Sequence, residues 1–346
     1  MPLENAYASV RVKARRTAGK ALRSSPAPVQ DAVQRARTKV SAARQARVER
    51  KRWAKGTLVW QTPPVPLPDG LTFEEIEQTF RSWSVNGEPV GHMNDYVTDS
   101  KLRFLYTWGL VRDDSGSCLE LGGNPYFTTW LLEQHSKLDL SLANYYGERG
   151  ETTETVSWLP PGASERVEVA RHSQMFNVEE DEFPYQDDSF DVVLFCEMIE
   201  HMLMDPLATL RQIHRVLKPN GVLILTTPNV ARIENVLRLL SGANLYDPYS
   251  GYGPYGRHNR EYNRHELHRL LDFAGFEVET SFTADGHPSD ATKWEFYDDA
   301  APLIEYRKAD LGHYLYIRAR ASRAPREGLP SFLYRSWPEG KIVRFD

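Results

Sequence analysis

Cysteine is nearly absent from this sequence. There are two in 346 residues, Cys118 and Cys196, too few for a disulfide framework or a cysteine-based zinc site. Both lie in apolar stretches, which predicts buried, reduced thiols and a cytoplasmic setting. Long hydrophobic runs are missing too. The longest, Val192–Cys196 and Val222–Leu225, are strand-sized and far short of the ~20 residues that a membrane-spanning helix needs. The N-terminus lacks the apolar core of a secretory signal, and no internal repeat is visible. A strong net charge is lacking only on average. The total is −5, but residues 1–55 carry 15 Lys and Arg against Glu4, Asp31 and Glu49, a local +12 that leaves −17 for the remainder. That asymmetry predicts a basic tail on an acidic body. The rest of the composition, 41% hydrophobic and 26% charged, is that of a globular protein with one large domain and extensions, or two small domains.

Residues 1–30 show no strong period and read as disordered. Val29–Lys55 is rich in helix formers, with Val33, Ala36, Val40 and Ala43 as a thin apolar stripe among arginines. Such a tail suits an anionic membrane surface, a nucleic acid or the acidic body itself; a solvated, partly ordered helix is the plain alternative. Pro63, Pro64, Pro66 and Pro68 form a stiff linker. Thr72 with Glu75 three residues on predicts a capping box opening a helix to about Trp83. A second helix is expected over Asp99–Trp108, the pair making a lid or platform before the main sheet.

From Ser117 onward, strand and helix patterns alternate. Strands are expected at Cys118–Leu121, Lys137–Tyr145, Arg166–Ala170, Phe190–Cys196, Val222–Thr227, Phe276–Phe282 and His313–Ala321. Helices are expected at Phe127–Gln134, Leu207–Leu217, Ala231–Leu240 and His265–Phe273. The order predicts an α/β, Rossmann-like, doubly wound and mostly parallel sheet. Helices would cover both faces, with an antiparallel edge strand and an N-terminal helical extension. The expected organisation is a basic tail (1–60), a linker with helices (61–116), the main domain (117–321) and a C-terminal tail (322–346) whose Trp337 and Phe345 dock back on the body.

The first strand ends in Glu120-Leu121-Gly122-Gly123-Asn124-Pro125, a turn small enough for close backbone approach to a ligand. Further on, Phe183-Pro184-Tyr185-Gln186-Asp187-Asp188-Ser189-Phe190-Asp191-Val192-Val193 leads into Glu197-Met198-Ile199-Glu200-His201. Then come Arg215-Val216-Leu217-Lys218-Pro219-Asn220-Gly221 and Thr226-Thr227-Pro228-Asn229. This ordered series, over roughly residues 117–282, resembles the class I S-adenosylmethionine-dependent methyltransferases, in particular the branch with ubiquinone-biosynthesis and sugar O-methyltransferases. The resemblance implies S-adenosylmethionine as cofactor. It assigns Glu120, Gly122, Gly123 and Asn124 to the methionine portion, Asn144 to the ribose, Asn177 and Val178 to the adenine, and Cys196 and Glu197 to the region between methionine and acceptor. Two positions depart from the family pattern. Asn144 stands where an acid is usual, and Pro125-Tyr126 where a third small residue is usual.

Methyl transfer to a hydroxyl needs an aligned acceptor and a base. Candidates are His201, on one face with Glu197 should that segment turn helical, and His258, with packing or capping as the plain alternative for His201. The stretch Tyr246–Tyr262 interleaves tyrosines with Arg257, His258, Asn259 and Arg260. It suits sugar rings or planar acceptors, with Tyr255, Arg257, Arg260 and Tyr262, and Asn229 nearby, as binding residues. The same loop could instead be a Gly/Tyr connection pairing its arginines with the acidic body. No compact metal-ligand set stands out, so no metal is predicted. The expected function is O-methylation of a small-molecule, glycan or lipid-linked sugar acceptor by a cytoplasmic enzyme, its tail touching the inner face of a membrane. An RNA or protein methyltransferase, or a non-catalytic S-adenosylmethionine-binding scaffold, are the alternatives. Against a nucleic-acid partner stands the lack of an Asn/Asp-Pro-Pro-aromatic motif.

Overall fold

In the computed structural model, the residues described are 61–89, 94–338 and 340–345, with Pro28 and Ala32; at Asn94, Asp95, Leu303 and Tyr306 only the backbone is described. Expectations for the basic segment fall outside them, apart from those two residues. Helix α1 (Phe73–Arg81) opens on the expected capping box. The Thr72 hydroxyl accepts the Glu75 N–H at 3.2 Å, and the Glu75 carboxylate accepts the Thr72 N–H at 2.8 Å. A short hairpin, β1 (Ser84–Val85) and β2 (Glu88–Pro89), precedes α2 (Asn94–Gly109). Then come β3 (Ser115–Leu121), α3 (Phe127–His135), β4 (Lys137–Asn144), β5 (Gly150–Trp158), β6 (Val167–Met175), β7 (Phe190–Cys196), α4 (Pro206–Val216), β8 (Leu217–Pro228) and α5 (Ile233–Leu240). The chain continues through α6 (Arg264–Phe273), β9 (Phe276–Ala284), α7 (Tyr297–Ile304) and β10 (Tyr314–Ala321) to a small parallel pair, β11 (Leu329–Pro330) and β12 (Ile342–Val343).

Ten strands form one sheet, in the order β2-β1-β5-β6-β4-β3-β7-β8-β10-β9. Its centre, from β6 to β8, is parallel. The run Val192-Val193-Leu194-Phe195 shows why. Val192 and Leu194 join Cys118, Val222 and Ile224 under α1, α2 and α3, while Val193 and Phe195 join Leu119, Leu223 and Leu225 under α4 and α6. Alternate side chains point to opposite faces, so a strand apolar at every position requires helices on both sides. The N-terminal helices are part of one of those layers: Phe80 of α1 stacks at 4.4 Å on Phe127 of α3. No helix among the described residues is long and apolar enough to cross a membrane.

The last two strands of the domain form the expected antiparallel edge: β10 runs antiparallel between β8 and β9, with β9 outermost. Leu315, Tyr316, Ile317 and Ala319 of β10 are all fully buried, as suits a strand with neighbours on both sides. One strand, β5, the sequence did not reveal. It pairs antiparallel with β6 and carries β1 and β2 on its far side. Its inward positions are Glu154, Val156 and Trp158, so a buried carboxylate breaks the apolar alternation that marks a strand. The C-terminal segment docks as expected. Phe345 packs at 5.2 Å on Phe273 and Trp337 at 6.0 Å on Tyr334, whose hydroxyl donates to Asp205 at 2.6 Å.

Candidate functional site

Strand order reverses at β3, which has β4 on one side and β7 on the other. Such a switch point leaves a crevice beyond the carboxyl ends of the strands, where open α/β sheets bind ligands. Here the crevice is a cavity of about 290 Å³ whose wall includes Gly122, Asn124, Asn144, Asn177, Val178, Met198, His201 and Tyr255. The volume lies near the lower end of the ~300–1,000 Å³ usual for small-molecule sites.

The glycine turn forms its floor. Gly122 has φ +71, and its N–H donates to the Ala143 carbonyl at 2.8 Å. A Cβ there would stand 2.9 Å from Met198 Sδ, so only glycine leaves both the backbone and the cavity wall undisturbed. Beneath the turn, Glu120 accepts the Thr129 hydroxyl at 2.6 Å, and burial pushes its carboxyl up to about 7. Asn124 N–H donates to Asn144 Oδ1 at 3.3 Å. Both N–H groups of the Asn144 amide are spent at 3.0 Å, on Tyr126 Oη and Ser173 Oγ.

On the β6 side, Asn177 shapes a turn. Its Oδ1 accepts the Glu179 N–H at 2.9 Å, and its amide donates to Tyr255 Oη at 3.1 Å. The Glu179 carboxylate collects the N–H groups of Leu203, Met204 and Asp205, which fixes the loop after His201.

The acceptor side is built around Glu197, Glu200, His201 and His258. Glu197 has φ +52 at the end of β7. Its Oε1 accepts the Thr226 hydroxyl at 2.8 Å, and its Oε2 lies 3.9 Å from the buried Arg103 guanidinium. The expected helix is a single 3₁₀ turn, Ile199–His201, so Glu197 and His201 do not share a helical face. Glu200 is fully buried. Oε2 accepts Thr227 Oγ1 at 2.8 Å, Oε1 has no hydrogen-bond partner, and burial raises the pKa to about 8.

The two histidines face each other at 5.0 Å between ring centroids. His201 Nδ1 lies 2.9 Å from the Arg257 carbonyl; a carbonyl only accepts, so Nδ1 carries the proton, and Nε2 lies 3.8 Å from Glu200 Oε1. His258 Nδ1 lies 3.1 Å from the Glu261 carboxylate, itself bound to Arg232 at 2.5 Å. That assigns the His258 proton in the same way. Burial and the neighbouring His258 hold His201 below its usual pKa. At His258 burial acts downward, but the Glu261 hydrogen bond and the Glu200 charge outweigh it and raise the pKa. Glu200, His201 and His258 each offer one ligand atom, all within 4.8 Å of one another. The sequence showed no such set because His258 reaches it only through the loop after α5.

Of the residues singled out from the sequence, Gly122, Asn124, Asn144, Asn177, Val178, His201 and Tyr255 line the cavity. Glu120, Gly123 and Cys196 stand behind its wall. Cys118 is buried and Cys196 half-buried, both thiols are free, and burial pushes that of Cys196 up to about 12. Asn229 and Tyr262 correct the expected binding roles, since both are almost wholly buried. The Asn229 amide donates to the carbonyls of Asp310 (2.7 Å) and Gly312 (2.9 Å), and the two residues tie β8 to the segment before α6. Arg260 turns outward to Glu266, and Arg257 lies over the exposed Tyr249 ring at 4.7 Å. Sequence reasoning passed over Arg103, Tyr146, Glu154 and Glu179. Arg103 and Glu154 come from elements outside the recognised motifs, where a single charged residue carries no local signal; Tyr146 and Glu179 lie in a bend and a turn just past the assigned Asn144 and Val178.

A family model described as a methyltransferase domain matches residues 90–281. Over 98 residues the chain is 38% identical to a protein of Mycolicibacterium smegmatis named "Probable S-adenosylmethionine-dependent methyltransferase"; the match covers 28% of this chain and 33% of that protein, so the chain spans about a third of that relative's length. Among solved structures it is similar to a SAM dependent methyltransferase from Archaeoglobus fulgidus (13% identity, 64% of this chain and 93% of that one, TM-score 0.42). It is also similar to the 1,6-didemethyltoxoflavin-N1-methyltransferase of Burkholderia thailandensis (17% identity, 68% and 83%, TM-score 0.37).

Proposed function

The chain belongs to the methyltransferase-domain family, and from that premise we propose that it transfers a methyl group from S-adenosylmethionine to a hydroxyl of a small-molecule or glycan acceptor, lipid-linked sugars included. The cavity fits a sulfonium nucleoside. Its floor is a glycine turn that a Cβ would fill, Phe176, Val178, Met198 and Met202 offer apolar surface, and Asn124 and Asn177 offer polar edges. When bound there, S-adenosylmethionine supplies an activated methyl group and a thioether leaving group.

One observation carries the reading: His201 lines the cavity with Nδ1–H pinned to a carbonyl, which leaves Nε2 as the ring's acceptor, 3.8 Å from Glu200 Oε1, with the pKa held low. A neutral imidazole held in one tautomer is suited to take a proton from a hydroxyl. His258, whose pKa the Glu261 hydrogen bond raises, stands beside it at 5.0 Å between ring centroids. Tyr246, Tyr249 and Tyr252 are largely exposed on the loop that carries His258, and their faces suit a sugar ring. Residues 117–321 form the catalytic domain in this reading. The basic residues 1–55 would hold it at the anionic inner face of a membrane, which sedimentation with anionic but not neutral vesicles would support.

The test is calorimetric titration with S-adenosylmethionine, then an acceptor screen with wild type and His201→Ala. Cofactor binding should be unchanged in the variant and turnover should fall by about 10² or more. Equal turnover removes His201 as the base, and no binding by wild type removes the cofactor.

A metal-assisted form of the same reaction is favoured by Glu200 Oε1, which is buried without a partner beside two histidines whose Nδ1 atoms are both pinned. Outer partners of this kind orient metal-binding imidazoles. The mixed N/O set suits a first-row transition ion such as Mn²⁺ or Zn²⁺. A divalent ion there would lower the pKa of an acceptor hydroxyl and take over the base's task. Turnover lost to a chelator and restored by one such ion selects this form, and turnover indifferent to chelation rejects it.

A further inference from the structure

We propose that Tyr146 and Glu154 form the subsite that reads a ribose hydroxyl of the nucleoside in the cavity. Tyr146 is the contact and Glu154 the residue that positions it; the proposal rests on the nucleoside reading above.

The first argument is an inventory of acceptors. A sugar hydroxyl is best held by a carboxylate or by another oxygen with lone pairs to offer. Glu179 is the one carboxylate in the cavity wall as described, and its oxygens are taken by three backbone N–H groups. Asn144, at the end of β4, has spent both amide N–H groups on Tyr126 and Ser173, and its Oδ1 already receives the Asn124 N–H. The position that the family resemblance assigns to the ribose is therefore largely consumed in holding the glycine turn.

The second argument follows the protons. Glu154 is almost wholly buried on β5, yet it has no ion-pair partner among the described residues. Arg171, its cross-strand neighbour on β6, gives its guanidinium to Glu133 at 2.5 and 2.6 Å instead. Of the three groups that donate to Glu154, Tyr146 and Asn124 line the cavity and Tyr126 is buried. The Tyr126 hydroxyl donates at 2.5 Å, the Tyr146 hydroxyl at 3.0 Å and the Asn124 amide at 3.4 Å. A phenol that has given its single proton to a carboxylate can only accept from any further partner. Tyr126 already accepts from Asn144. The Tyr146 hydroxyl also touches that of Tyr126, whose proton goes to Glu154, and it is 53% exposed and lines the cavity. With its own proton on Glu154, its exposed oxygen still has a lone pair to offer, which matches a ligand group that donates: a hydroxyl.

Burial and the nearby Tyr126 and Glu154 raise the Tyr146 pKa, so the phenol keeps the proton that this arrangement needs. The inserted strand is what makes the arrangement feasible. β5 enters the sheet beyond β6 and carries a buried carboxylate opposite Arg171, within reach of the Tyr146 hydroxyl.

The experiment uses calorimetry of the full chain with S-adenosylhomocysteine and its 2′-deoxy and 3′-deoxy analogues. Wild type, Tyr146→Phe and Glu154→Gln are compared. Wild type should prefer the ribonucleoside over at least one deoxy analogue by about two- to tenfold, as for one neutral hydrogen bond. Tyr146→Phe should bring that ratio close to one while leaving the affinity for the deoxy analogue unchanged. Glu154→Gln should reduce the ratio as well, because an amide no longer obliges the phenol to accept. A merely structural pair would weaken all three ligands alike and leave the ratio intact. Tyr146 is exposed enough that its phenylalanine variant should fold. Undiminished discrimination by Tyr146→Phe overturns the proposal and leaves the cofactor reading standing. No binding of any of the three by wild type overturns both.

Discussion

Replacing Gly122 with alanine separates two costs that usually arrive together. Gly122 sits at φ +71 and Gly242, just past α5, at φ +79. Placing an L-residue in the left-handed region costs roughly 1–2 kcal/mol at either position. At about 2–4 °C per kcal/mol for a domain of this size, each variant should melt some 2–8 °C below wild type. The steric consequences differ. A Cβ at Gly242 meets nothing within 4 Å, whereas one at Gly122 meets Met198 Sδ at 2.9 Å and Cγ at 3.3 Å. Met198 is flexible and will yield by a few tenths of an ångström, but it lines the cavity. The displacement goes into the ligand's space. Gly122→Ala should therefore lose about tenfold or more in affinity for S-adenosylmethionine, and Gly242→Ala should lose none. Melting curves and titration calorimetry on the two variants read both quantities. Matched melting losses with unchanged affinity in Gly122→Ala would show that the glycine turn is only a turn, and the site built on it would fall.

Two further outcomes follow from the same structure. Burial pushes the Glu120 carboxyl from its ordinary 4.5 up to about 7 in the folded chain. Between those values the folded chain keeps a proton that the unfolded chain has released, so stability falls as pH rises through that window. Glu120→Gln, which still accepts from Thr129, should melt above wild type at pH 8 and lose that advantage by pH 4.5; a pH-independent difference would refute the assignment. Asp205 caps α4 by accepting the Ala208 N–H at 3.1 Å and also accepts the Tyr334 hydroxyl. Asp205→Ala should cost about 1–2 kcal/mol and loosen the C-terminal segment, seen as faster amide exchange around Tyr334, while Asp205→Asn should recover most of both.

Much of the architecture was legible because its signals are local. The capping box at Thr72 and Glu75, the doubly apolar runs Phe190–Cys196 and Val222–Leu225, and the glycine turn at Gly122 each lie within a dozen residues and have one favourable conformation. β5 was not legible because its inward face includes Glu154, and a buried carboxylate looks like a surface residue in a pattern of polar and apolar letters. That the last pair closes the sheet as an antiparallel edge was legible, but which of the two lies outermost was not, because that depends on the neighbours each strand can find. Asn229 and Tyr262 looked like binding residues by position near strand ends, and packing made them struts.

The order of strands and helices, the rim along which polar residues gather and the glycine turn were set by the amino-acid sequence alone, since period, turn chemistry and burial preference act over short stretches of chain. Only the tertiary structure decided what meets at that rim. It brought His258 to Glu200 and His201, Tyr255 to Asn177, and Glu154 to Tyr146 across an inserted strand. The first two pairings join residues far apart in the chain through single hydrogen bonds or charges, and the third crosses the turn between β4 and β5. A contact of that kind leaves no period in the sequence, and its partners become definite only once the sheet has closed around them.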